Sequence, residues 1–135
     1  MSLNQYQKQS LAVTLRLLEK TVDAIDALLS SDHRGLLYQV RTEITPEREA
    51  DLRQLSSDVR AALAELARRY ELPVQQEDGL RIIAARLSSA WENLEDSHPR
   101  KLRRYGQVAP GVAEELGPQV EALIYLVLAM ERLTH

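Results

Sequence analysis

Glu95 and His98 stand three residues apart, the spacing at which one helical face offers a carboxylate and an imidazole to a metal ion. A di-metal carboxylate site needs a second such pair and two further glutamates facing the same axis, and neither is present. Glu131 and His135 are four apart at the carboxy terminus, a poor place to organise ligands. Cysteine is absent, which removes thiolate sites and disulfides, so no metal and no other cofactor is expected. The remaining polar feature is the run Arg100, Lys101, Arg103 and Arg104, with Tyr105 beside it. Guanidinium forks match phosphate and carboxylate groups, so this run is a candidate site for phosphate, nucleic acid or an acidic partner. The competing explanation is local and is favoured. These cations follow the carboxy end of a helix and complement its dipole, with Glu92, Glu95 and Asp96 as counter-charges.

Two partial resemblances end at specific residues. His98 and Lys101 have the His-x-x-Lys spacing that resembles histidine phosphotransfer domains, which are helical bundles of similar size. Pro99 would break the helix that motif requires, and Leu102 fills a position that family keeps small. Val22-Asp23-Ala24-Ile25-Asp26 is similar in rhythm to helical chorismate mutases, but Glu19 stands where their chemistry needs an arginine. No Gly-rich phosphate loop and no nucleophile with a histidine base is visible. An enzyme with an unidentified site stays open only as a residual, and no catalytic residue is assigned.

The elements that would position these groups are legible in four apolar stripes with alternating three- and four-residue steps. They are Leu11, Leu15, Leu18, Val22, Ile25 and Leu29; Leu52, Leu55, Val59, Leu63, Leu66 and Tyr70; Leu80, Ile83, Leu87, Ala90 and Leu94; and Leu116, Val120, Leu123, Val127 and Met130. Each falls on one side of an α-helix, which is hidden from water only against another such side. The stripes predict one all-α domain over 1–135, a four-helix up-and-down bundle with helices at about 4–31, 46–70, 75–97 and 118–133. Thr45, Pro46 and Glu47 mark the second helix start as cap, first-turn proline and dipole partner. Gly117-Pro118 reads as the restart of the last helix after a short turn. Residues 36–44 fit strand alternation and a helical face equally. With no ladder partner in view, a partly ordered connector with about one helical turn is expected. Trp91 belongs to the core margin.

Placing Leu123 and Val127 toward the core turns Glu121, Tyr125, Leu128 and Arg132 outward. That side of the last helix is unusually apolar, whereas outward positions on the first two helices read as mostly polar or Ala. Two antiparallel copies would cover Tyr125 and Leu128 and bring Glu121 near Arg132. The expected function is therefore a homo-oligomeric helical interaction module, with an unknown protein partner. An anion- or nucleic-acid-binding accessory protein using 100–105 is the alternative.

Composition narrows the classes further. Among 135 residues the net charge is −3, which argues against nucleic acid or anionic lipid binding over the whole surface. Phe is absent and Trp occurs once, too few aromatics for a base-stacking platform. The longest apolar run, Ala122 to Met130, falls well short of the roughly twenty residues a membrane span needs, so no membrane partner is expected. Without cysteines or a secretory signal, the chain reads as cytoplasmic.

Overall fold

The computed structural model describes residues 2–30 and 32–135. Their order is α1 (Gln5–Ser30), β1 (His33–Arg34), β2 (Gln39–Val40), α2 (Pro46–Arg69), α3 (Gly79–Asp96), α4 (Pro99–Leu102), a 3-10 turn (Arg103–Tyr105) and α5 (Pro110–Arg132). Among the described residues the structure is all-α apart from one two-stranded ladder. The predicted end of the first helix at Ser31 lies outside the described residues.

Each helix start has an identifiable cause. Asn4 Oδ1 accepts from the Gln7 amide (2.8 Å) while Gln7 Oε1 accepts from the Asn4 amide (2.9 Å), a reciprocal capping box for α1. Thr45 Oγ1 accepts from the Arg48 amide at 3.2 Å, with Pro46 in the first turn of α2, as the sequence predicts. Asp78 accepts from the Leu80 amide (3.0 Å), so α3 begins at Gly79 rather than near 75. At the far end of α2, Glu71 adopts φ +50°, and the amides of Glu71 and Leu72 bond back to the carbonyls of Arg68 and Ala67. That closes the helix as a Schellman motif on a non-glycine residue.

Two expectations are corrected. Helix α5 does not restart at Pro118: it runs unbroken from Pro110, with Pro118 inside it. Proline there removes the donor to the Glu114 carbonyl and crowds it with its ring, but Pro118 is solvent-exposed, so water can reach that carbonyl. The connector after α1 is not a helical turn. It is a β-hairpin with His33 opposite Val40 and Arg34 opposite Gln39, so the ladder partner is the short polar pair just before the turn.

The chain forms two compact units, residues 1–76 and 77–135. In the first, α1 packs on α2 with Ala12, Val22, Ser56 and Leu63 buried between them. Ser56 occupies the position the sequence reading gives to Leu55, which is exposed. Arg60 of α2 reaches Asp23 (2.9 Å) and Asp26 (2.5 Å) one turn apart on α1, joining the two helices across their seam. In the second unit, α3 packs on α5, with Val120 and Ile124 buried. Pro99 of α4 is buried there too, its Cγ 4.0 Å from where a Cβ on Gly117 would stand.

Candidate functional site

The α3-facing side of α5 is rotated from its predicted orientation. Gly117, Val120 and Ile124 are its buried residues, and Ser88 of α3 donates to Glu131 at 3.4 Å, fixing the same side near its end. Leu123, expected inside, is half exposed, and Leu128, expected outside, is half-buried one turn beyond Ile124. Of the four predicted self-association residues, Glu121, Tyr125 and Arg132 are exposed and Leu128 is not. The rotation follows from composition. Helix α5 is apolar on two sides, and a stripe drawn through Leu116, Val120, Leu123, Val127 and Met130 takes members from both.

The second side is Val112, Leu116, Leu123, Leu126, Met130 and Leu133, with Gln119 its only polar member. Every step in 112, 116, 119, 123, 126, 130, 133 is four or three residues, a strict heptad seam. Leu116 is half-buried, and the other apolar members are exposed by half or more. Helix α1 likewise carries a second apolar set, Tyr6, Val13, Leu17 and Leu28, all exposed. Outward positions on the first helix are thus less polar than the sequence reading held.

The basic segment lies on α4 and the following turn. Lys101 Nζ is 3.3 Å from Asp96, Arg104 is 3.8 Å from the same carboxylate, and Arg100 is 3.9 Å from Glu95. Arg104 also stacks over Tyr105 at 5.5 Å from the ring centroid. Arg103 has no ion-pair partner among the described residues. The structure therefore brings three of the four cations to acids at the end of α3.

His98 faces Glu121 rather than Glu95, with Nε2 at 3.3 Å from the carboxylate, and its Nδ1 is buried without a hydrogen-bond partner. Glu131 is engaged by Ser88. Among the described residues no group of three or more His, Cys, Asp or Glu side chains converges as metal ligands would. In the first unit a cavity of about 320 Å³ opens between α1, α2 and residues 72–75. Leu15, Leu63 and Leu72 line it with Arg16, Glu19 and Arg60. Hydrogen bonds with Asp23 and Asp26 raise the Arg60 pKa above its already high ordinary value, so it holds its charge at any working pH. No helix among the described residues is long and apolar enough to cross a membrane.

No protein-family model matches the chain, and no curated protein or solved structure matches it either. The fold thus defines an all-α protein, and any function has to be argued from its surfaces.

Proposed function

We propose that the protein is a cytoplasmic helical interaction module that self-associates through α5. The observation that carries this reading is the exposed heptad seam from Val112 to Leu133. A strict a/d stripe is the pattern by which one helix packs on another at a shallow angle, and large apolar side chains repeated along it gain most by leaving water together. Exposed area supports it. The chain exposes 10969 Å². A compact protein of its mass exposes about 7,100 Å², and even two separate compact bodies of its two units' sizes expose about 8,600 Å². The excess is well above the roughly 600–1,000 Å² that each partner contributes to a standard interface, so one such contact would cover only part of it.

The four-helix up-and-down arrangement suggested by the sequence would cover the seam within one chain, whereas pairing of two α5 helices would cover it between chains. A second copy is the occupant we favour. Antiparallel pairing separates Glu114 and Glu115 of one α5 from their equivalents on the other. Glu121, Tyr125 and Arg132 lie on the side of α5 away from this seam, so the contact is not the one expected through those residues.

Light scattering on the native protein tests this directly. A mass twice that of the 15.3 kDa chain is expected. Leu123→Glu with Leu126→Glu should return it to a monomer with unchanged helical circular dichroism. A native monomer at tens of micromolar would overturn self-association. Loss of helicity in the double variant would show that the seam is covered within one chain.

A further inference from the structure

The β1–β2 hairpin ends in Leu36 and Leu37, which are 97% and 93% exposed and touch almost nothing. Two consecutive leucines so placed are not a by-product of a loose loop, because the turn is held at several points. The Gly35 amide donates to the Tyr38 carbonyl at 3.0 Å across the tip. His33 Nε2 donates to the Ala27 carbonyl (2.8 Å) and Thr42 Oγ1 to the Leu28 carbonyl (3.2 Å), tying β1 and the chain just after β2 to the end of α1. Tyr38 lies against Gly35 so closely that any side chain at 35 would displace its ring.

The ladder register divides the strands into two sides. His33 and Val40 are paired, half-buried and on the side that contacts α1. Arg34 and Gln39, also paired, lie on the other side with Arg41, and all three are exposed. No ion pair among the described residues involves Arg34 or Arg41. The acids nearest in sequence, Asp32 and Glu43, lie farther from the tip than these arginines.

We infer that this hairpin is a docking element for an anionic lipid surface, with Leu36 and Leu37 entering the acyl boundary. Tyr38 sits at headgroup level, and Arg34 and Arg41 meet the phosphates. A bilayer receives a convex apolar tip without needing a matching pocket, whereas a protein partner would have to supply one. An amphipathic ring beside the leucines and cations behind them is the order of groups that a bilayer presents from its interior outward. The net charge of −3 argues against attraction over the whole surface, so this contact is local and weak.

Co-sedimentation of the full chain with phosphatidylcholine vesicles, with and without phosphatidylserine, tests the inference. Binding is expected on the anionic vesicles and should fall as salt rises. Leu36→Ser with Leu37→Ser should weaken it about tenfold or more, since two inserted side chains are lost. Arg34→Gln and Arg41→Gln should each weaken it about fivefold, on anionic vesicles only. All four side chains are exposed, so circular dichroism should be unchanged in every variant. Absence of binding to anionic vesicles overturns the inference. So does binding that the leucine pair does not affect, or a leucine variant that changes the oligomeric mass while vesicle binding stays the same, which would assign the tip to a second copy.

Discussion

The guanidinium of Arg53, midway along the first turns of α2, donates to the carbonyl of Leu29 at the end of α1 at 2.9 Å. Glu49 holds the same guanidinium from one turn back, at 3.0 Å. With His33 on Ala27 and Thr42 on Leu28, three consecutive terminal carbonyls of α1 are each satisfied by a side chain from later in the chain. The last carbonyls of a helix have no intrahelical partner and carry the negative end of its dipole, so a cation there acts on both counts.

Replacing Arg53 with Met should therefore destabilise the first unit while keeping the apolar stem. The side chain is about two-fifths exposed, so the loss should be about 1 kcal/mol rather than that of a buried charge. Urea unfolding with an unchanged slope would register it as a lower midpoint. Arg53→Lys should recover only part, because an ammonium cannot hold Glu49 and the Leu29 carbonyl in the same planar fork.

Glu71 is the described non-glycine residue with positive φ, at +50°. A left-handed conformation costs a residue with a Cβ roughly 1 kcal/mol, and glycine adopts it without that cost. Glu71→Gly should raise the melting temperature, with a gain of about 0.5–1 kcal/mol. The ion pair with Lys8 that would be lost is 4.0 Å long with Glu71 largely exposed, and contributes little. A lower melting temperature would show that the Schellman closure is not what ends α2.

Much of this fold was legible in the residues. Thr45-Pro46 named the start of α2, and Leu11, Leu15, Val22, Ile25 and Leu29 lie on the covered side of α1. What escaped did so for physical reasons. Pro118 costs a helix interior roughly 3 kcal/mol, and the packing of Gly117, Val120 and Ile124 on one continuous element outweighs it. Helix α5 has two apolar sides, so no single stripe fixes its rotation. The alternation at Tyr38, Val40 and Thr42 was visible, but β1 is only His33–Arg34, too short and polar to announce itself as a partner. Leu36 and Leu37 are apolar by type, like the members of the stripes. Only their placement at a turn tip separates them from the stripes.

Gly117 offers a gain from the same helix. A Cβ added there would come no closer than 4.0 Å to Pro99 Cγ, an ordinary van der Waals distance. Gly117→Ala should then stabilise the second unit by about 0.5–1 kcal/mol through helix propensity alone. Thermal unfolding measures it. A destabilised variant would mean that α4 sits closer to α5 than this geometry allows.

The basic segment makes the last prediction, because its acids can be removed without touching its cations. Asp96 receives Lys101 and Arg104, and Glu95 receives Arg100, so polyanions must compete with those carboxylates. Native protein should leave a heparin column at low salt. Glu95→Gln with Asp96→Asn releases three cations to join Arg103 and should delay elution. The salt dependence of binding should steepen by about two to three in the logarithmic slope, if each anionic group newly neutralised adds roughly the 0.7–0.9 that a nucleic-acid phosphate does. Stability should hardly suffer, since both acids sit at the negative end of α3, where the dipole disfavours them. Unchanged elution would mean that the four side chains point too far apart to share one anionic ligand. Tight, salt-sensitive binding by the native protein would show instead that Glu95 and Asp96 do not restrain the patch, and that it is an anion site as it stands.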